Sequence, residues 1–319
     1  MSEGLILAGE PMGLLIAQNE GPLDSVSGYS LAVAGAEFNV AVGTARLHHR
    51  VTYMTKLGKD PFGKRVIRVL NENGIGNEFV SFSDEHKTGF MLKAKVNRGD
   101  PDIFYFRTGS AASTISPVDV GKIDMRNYSY IHLTGILPAL SDETRAAVYL
   151  LFDKARAAGL TISFDPNLRP QLWPSLEIMR QTINDMASRA DIVLPGIAEG
   201  KILVGSDDPK KINGFYRQNG ASIVVTKCGS NGAFVTDGNE NYKVEGYKVR
   251  QVIDTVGAGD GFAVGIITGL MEKLPLYEAV KRGNAIGAIQ VMSRGDNEGL
   301  PTPEKLANFM KQDNCIGRK

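Results

Sequence analysis

The 319-residue chain carries 36 basic and 35 acidic side chains, a formal net charge of +1, with 43% hydrophobic and 22% charged residues. That balance is ordinary for a globular protein with one large core or two modest ones, and it argues against a polyanion-binding surface, so nucleic acid is not an expected partner. Two cysteines and four histidines lack metal-ligand spacing, and no apolar run approaches the ~20 residues of a membrane span; with no leader-like start, a cytoplasmic location is expected.

In chain order, residues 5–8 and 14–17 are short apolar runs that read as strands. Residues 34–47, rich in Ala and Gly at helical spacing, read as a helix closed by His48-His49-Arg50, where positive charge suits a helix C-terminus. Residues 51–57 read as a strand, and 61–73 as a helix ended by Gly74. Runs 88–96 and 102–107 read as strands joined by the turn Asn97-Arg98-Gly99-Asp100-Pro101. After a strand at 130–134, Ser141 caps a helix to Ala158, with Glu143 near its start and Gly159 beyond its end. Strands at 161–165, 192–194, 222–227 and 233–236 follow, then an apolar run at 261–271 and a mostly helical pattern from Pro275. This alternation implies an α/β fold: a mainly parallel sheet covered by helices on both faces. Residues 12–33 and 79–108 are strand-like with few helix signals, and are expected to form a small β lid inserted in a single domain spanning 1–319.

Four stretches carry candidate chemistry at strand ends, where open parallel sheets place their ligand crevice. Gly35-Ala36-Glu37-Phe38-Asn39 opens the first long helix: Gly35 permits close ligand approach, and Asn39 offers a donor and acceptors to a hydroxyl-rich ligand. In Asp165-Pro166-Asn167-Leu168-Arg169, Arg169 can fork onto a phosphate or carboxylate; a loop salt bridge with Asp165 is the alternative. Lys227-Cys228-Gly229-Ser230-Asn231-Gly232 reads equally as a turn hugging a nucleotide or a plain hairpin. Asp254-Thr255-Val256-Gly257-Ala258-Gly259-Asp260 is a turn opening a helix, whose unpartnered N–H groups and positive dipole end suit a phosphate. A carboxylate there repels phosphate, but makes sense if Asp260 takes a proton from a hydroxyl while the amides stabilise charge moving between phosphates. A dinucleotide fingerprint fails, because Gly257-x-Gly259 lies late in the chain and position 262 is Phe. The Walker loop and the protein-kinase set are absent.

Two stretches, Gly35-Ala36-Glu37-Phe38-Asn39 continuing to Lys56-Leu57-Gly58-Lys59-Asp60-Pro61-Phe62-Gly63, and Asp254 through Phe262, resemble the signatures of the ribokinase-type (PfkB) carbohydrate kinase family. The resemblance implies a ribokinase-like three-layer α/β/α body with a small β-sheet lid. Thr88-Gly89-Phe90, Tyr105-Phe106-Arg107 and Gly109 to Ser113 most resemble its members that phosphorylate 2-keto-3-deoxygluconate. It implies ATP-dependent phosphorylation with Mg²⁺, Asp260 as base, and Gly257, Ala258 and Gly259 as the anion hole. On the sugar it implies Gly35, Ala36, Asn39, Phe90, Tyr105, Arg169 and Asp296, with Arg107 on the acid sugar's carboxylate. On the nucleotide it implies Asn167, Arg169, Lys227, Gly229, Asn231, Gly232, Gly257 and Gly259, with Asn284 near the base. Glu199 would organise the metal through water, although Gly196 stands where the family usually carries asparagine. A homo-oligomer formed through the lid is expected. A fructokinase, a ribokinase or a 5-dehydro-2-deoxygluconokinase would share the phosphoryl-transfer parts. A non-catalytic sugar or nucleotide sensor would have no need of Asp260.

Overall fold

The computed structural model describes residues 4–96, 101–238 and 240–316; most of the expected 97–101 turn lies outside them. In chain order β1 (Gly4–Ala8) opens the body, and β2 (Met12–Ala17) and β3 (Tyr29–Ala34) leave it. Helix α1 (Ala36–Arg46), β4 (Arg50–Gly58), α2 (Pro61–Glu72) and β5 (Gly76–Ser83) return to the body, before β6 (Phe90–Lys93) and β7 (Ile103–Phe106) leave again. Then come α3 (Pro117–Gly121), β8 (Tyr130–Thr134), α4 (Asp142–Ala157), β9 (Thr161–Asp165), α5 (Leu176–Ser188) and β10 (Ile192–Val193). Helices α6 (Ile197–Leu203) and α7 (Pro209–Gln218) lead to β11 (Ile223–Lys227) and the hairpin strands β12 (Ala233–Asp237) and β13 (Glu240–Val244). Helices α8 (Ala258–Met271), α9 (Leu276–Gln290) and α10 (Pro303–Ile316) end the described chain.

Nine strands form one sheet in the order β13-β12-β11-β10-β9-β8-β1-β4-β5, parallel from β11 to β5 and antiparallel through the β11-β12-β13 edge. The period-2 alternation of β1 sets the layers: Leu5 and Leu7 join a core with α1, α2, α8, α9 and α10, whereas Ile6 and Ala8 join a core with α3 through α7. Strands β3-β2-β6-β7 form a separate small sheet with its own buried cluster of Met12, Leu14, Ala34 and Met91. The family's expected body and lid are therefore both present.

One boundary differs from expectation. Residues 79–83 belong to β5 and pair in parallel with β4, Met54 opposite Phe79 and Leu57 opposite Phe82, at the edge of the large sheet. They open the stretch expected as lid because an edge strand is equally strand-like in either sheet. The lid strands proper begin again at Phe90. Because β1, β8, β9, β10 and β11 all run the same way, their C-terminal ends line one edge of the body beneath the lid, and every stretch singled out above emerges there or packs against it.

Candidate active site

Two cavities meet at the N-terminus of α8. One, of about 440 Å³, is roofed by Met12, Met91, Ile103 and Tyr105 of the lid and floored by polar side chains at the strand ends. The other, of about 330 Å³, is walled by Val249, Val252, Phe262 and Val291. Lys227, Thr255 and Gly259 line both. A polar chamber sized for a sugar and an apolar slot sized for a purine base thus share one border, the first turn of α8.

That border is built by Gly257, which caps α8 at φ +78, a left-handed conformation that favours glycine. A Cβ there would also strike the carbonyl of Asp296. The turn before it is set by Asp254, whose Oδ1 accepts from the Val256 N–H at 3.0 Å. The Ala258 N–H leans on the Thr255 carbonyl at 3.3 Å, while the first-turn N–H groups of Gly259 and Asp260 have no acceptor within the helix. The Lys227 Nζ lies beside this turn, 3.7 Å from where a Gly259 Cβ would stand. Helix dipole, first-turn amides and ammonium converge on one point, an arrangement suited to a highly charged anion.

Asp260 follows immediately, half-buried against the first cavity. Its Oδ2 accepts from Asn39 Nδ2 at 2.8 Å, and Asn39 is held in turn by Asn297, whose Nδ2 donates to Asn39 Oδ1 at 3.0 Å and to the Val33 carbonyl at 2.8 Å. Burial, reinforced by the nearby Asp165 carboxylate, pushes Asp260 up to about 7, against the opposing pull of Asn39, Arg169 and Lys227. A carboxylate titrating near neutrality is suited to accepting a proton from a hydroxyl. Asn297 was not singled out from sequence as a site residue, because its contact with Asn39 spans 258 positions.

The cations are arranged differently from the simplest reading. Asp165 pairs with Lys227 at 2.5 Å rather than with Arg169. Arg169, half-buried, donates to the Leu168 carbonyl at 2.8 Å and lines the sugar-sized cavity together with Asn167. Burial works against the Lys227 charge, but Asp165 and Glu199 outweigh it and raise its pKa. Arg107 is buried, not an exposed lid charge: its Nε donates to Glu10 Oε2 at 2.7 Å, its Nη2 pairs with the same oxygen, and Ser110 holds the other Glu10 oxygen. Arg107 lines the cavity with Glu10 and sits 5.8 Å from the centre of the Tyr105 ring. Glu10 lines the site and was missed from sequence; the available signal was an acid two residues beyond the fully buried strand β1.

Gly35, at φ +146 in a crowded corner where a Cβ would lie 2.7 Å from the Glu10 carbonyl, brings Ala36 and Asn39 to the same floor. Glu37 is also there, fully buried, pushed up to about 7 by burial despite a 2.5 Å hydrogen bond from Thr134. Asp296 lines the cavity too, but its Oδ1 is 2.8 Å from Lys93. Asn284 lines the apolar cavity with Gly229, Gly232 and Ala258, and donates to the Val244 and Glu245 carbonyls at 3.2 and 3.1 Å. The Lys227–Gly232 stretch forms the hairpin into β12, and Lys227, Gly229, Ser230 and Gly232 also line the apolar cavity.

Two expected contacts are corrected. Phe90 does not face the sugar-sized cavity; it is stacked between Phe62 and Phe106, at 5.2 and 4.6 Å, and Met91 takes the inward position. On a strand the inward side alternates, so a shift of one residue exchanges the faces. Asn231 is exposed in the turn and lines neither cavity, whereas its neighbour Ser230 does. Glu199 lines the sugar-sized cavity, but both its oxygens accept backbone N–H groups, Gly196 at 2.7 Å and Leu168 at 2.9 Å. Burial raises its pKa, Lys227 opposing and Asp165 reinforcing. Among the described residues no group of three acidic, His or Cys side chains is placed to hold a metal, and no helix is long and apolar enough to cross a membrane.

A model of the pfkB family of carbohydrate kinases matches residues 6–303 of the chain. The 2-dehydro-3-deoxygluconokinase of Bacillus subtilis (strain 168) is 45% identical over 312 residues, covering 98% of this chain and 96% of that protein. The enzyme of the same name from Thermoproteus tenax is 32% identical over 310 residues, covering 96% and 94%. The crystal structure of a PfkB protein from Polaromonas sp. JS666 superimposes with a TM-score of 0.87 at 43% identity, over 96% of this chain and 99% of that one.

Proposed function

The chain belongs to the pfkB family of carbohydrate kinases, and from that premise we propose that it transfers the γ-phosphoryl group of ATP to the primary hydroxyl of 2-keto-3-deoxygluconate (2-dehydro-3-deoxygluconate). The observation that carries the transfer is the position of Asp260 at the border of the polar and apolar cavities, beside the open end of α8. ATP lies with its base in the apolar slot, against Asn284, Gly229 and Gly232, and its phosphates toward Lys227 and the first turn of α8. Asp260 accepts the hydroxyl proton, and the sugar oxygen attacks the γ-phosphorus in line. The amides of Ala258, Gly259 and Asp260, with Lys227 and Arg169, offset the charge that develops on the bridging and terminal oxygens. Lid side chains Tyr105 and Met91 close the sugar chamber against water, which would otherwise compete as acceptor.

The donor set fits Mg²⁺ held chiefly by ATP phosphates and water: Asp165 and Glu199 border the site, yet both are engaged by protein donors. Bound there, Mg²⁺ would supply neutralisation of the phosphate charge.

Arg107 supports an acid sugar, and the two relatives named for 2-dehydro-3-deoxygluconate support the same choice. Its pairing with Glu10 is the one observation favouring a neutral sugar, since it offsets the charge that would meet a carboxylate. ADP release measured with 2-keto-3-deoxygluconate, fructose, ribose and 5-dehydro-2-deoxygluconate separates the two. The acid sugar is expected to give the highest kcat/KM; a neutral sugar in first place would overturn the assignment.

The location proposed is the cytoplasm, where ATP is available. The partner proposed for the lid is the lid of a second copy. Across its outer face Leu31, Leu15, Leu92 and Phe104 stand in register, with Phe106 beside them, and Leu31, Phe104 and Phe106 are 43%, 59% and 50% exposed. Light scattering on the eluting protein should give a dimer that Phe104→Glu converts to a monomer; a wild-type monomer would refute the pairing.

A further inference from the structure

The face of the lid that turns toward the body carries Lys93 on β6, two residues beyond Met91. Lys93 is 3% exposed, and its Nζ lies 2.6 Å from Asp254 Oδ2 and 2.8 Å from Asp296 Oδ1. Neither aspartate belongs to the lid. Asp254 precedes the turn into α8, and its other oxygen anchors the Val256 N–H. Asp296 follows α9, and its carbonyl is the atom that abuts Gly257. Gln290 ties the same two segments from behind, donating to the carbonyls of Gly295 at 2.9 Å and Asp296 at 3.2 Å on one side and to that of Val256 at 3.4 Å on the other. One ammonium from the lid therefore sits between the two body segments that shape the first turn of α8. Without it, two buried carboxylates would share one small space beside the point where phosphate must arrive, and like charges there repel each other and the nucleotide.

We propose that Lys93 is a positioning residue: by bridging Asp254 and Asp296 it couples the seating of the lid over the sugar to the geometry of the turn that receives the ATP phosphates. The proposal rests on the kinase reading above. Because the same β6 strand places Met91 over the sugar and Lys93 on the turn, occupancy of the sugar chamber and order in residues 254–260 become linked, and the linkage is reciprocal for binding. Burial opposes the Lys93 charge, but Asp296 and Asp254 outweigh it and raise its pKa; burial also raises the Asp296 carboxyl, against the pull of Lys93.

The test uses Lys93→Met and Lys93→Ala in the full chain. The KM for ATP should rise on the order of tenfold, with a smaller change in the KM for 2-keto-3-deoxygluconate. Propylammonium, which replaces the fragment removed in Lys93→Ala, should restore ATP affinity in that variant and not in Lys93→Met. Amide hydrogen exchange supplies a readout without turnover and works on the wild type alone, should the variants fail to fold. Adding 2-keto-3-deoxygluconate without nucleotide should slow exchange at residues 256–260 in the wild type, and not in the variants. ATP parameters within twofold of wild type in both folded variants, or no exchange response at 256–260 when the sugar is bound, would overturn the proposal. Failure of the kinase reading looks different: the wild type would then release no ADP with any sugar.

Discussion

Asp260→Asn removes the base while preserving size and the hydrogen bond from Asn39, because the asparagine Oδ1 can still accept from Asn39 Nδ2. Loss of a general base lowers turnover by roughly 10²–10⁴-fold, about 3–5 kcal/mol in the barrier. Stability should move the other way. Asp260 titrates at about 7 in the fold against an ordinary 3.8. The folded state thus holds this proton more tightly than the unfolded chain. The protonated carboxyl's full contribution is present below pH ~4, and is lost progressively as pH rises through about 7. The gap between the two values sets an upper limit of ~4 kcal/mol withheld at alkaline pH, and the residual exposure of Asp260 lowers the realised figure. Asp260→Asn should accordingly melt at or above the wild-type temperature at pH 8, lose that advantage near pH 4, and bind a non-hydrolysable ATP analogue with near wild-type affinity. Thermal denaturation at the two pH values, calorimetric titration and ADP release together read all three. A variant that keeps kcat within tenfold, or that melts well below wild type at pH 8, would refute a strained, charged base at this position.

Arg107→Ala should raise the KM for 2-keto-3-deoxygluconate by at least tenfold more than it raises that for a neutral sugar, from the loss of a charge-assisted pair; equal shifts would remove Arg107 from carboxylate recognition. It should also destabilise the protein, on the order of 3 kcal/mol, because Glu10 is left buried without its cation, which chemical denaturation would read. In the wild type the acid limb of kcat/KM should fall near pH 7, activity rising as Asp260 deprotonates. Because the Asn39 hydrogen bond favours the ionised form, Asn39→Ala should move that limb to higher pH; an unchanged limb in the pH–rate profile would place the titrating group elsewhere.

What sequence reasoning reached and what it missed divide along physical lines. The α1 and α8 openings were legible because the glycine turn, the helix and the acid are local in sequence, and local geometry follows from residue type. The layers were legible from the alternation of strands with helices, and the Leu5/Ile6/Leu7/Ala8 run is apolar throughout because its two faces divide between the two cores. Face assignment within a four-residue strand was not, because β6 takes its orientation from the pairing of Phe90 with Phe106 and from Phe62, and one residue of register exchanges Phe90 for Met91. Long-range charge pairing was least legible. Arg107 and Glu10 are 97 positions apart, and Lys93 and Asp296 are 203 apart. An arginine read alone suggests an unfilled carboxylate site; beside Glu10 it is already half of a buried ion pair. The Asp165–Lys227 pair likewise removes the alternative of an Asp165–Arg169 loop salt bridge, and Arg169 stands on the cavity wall.

The most direct measurement is a competition in one tube: wild-type protein, ATP and Mg²⁺ with equimolar 2-keto-3-deoxygluconate and fructose, followed by phosphorus NMR coupled to the sugar protons. The geometry of Asp260, the α8 turn and Arg107 predicts a single phosphomonoester, on the primary hydroxyl at C6 of the acid sugar. Phosphate carried chiefly by fructose, or ADP accompanied only by inorganic phosphate, would contradict it.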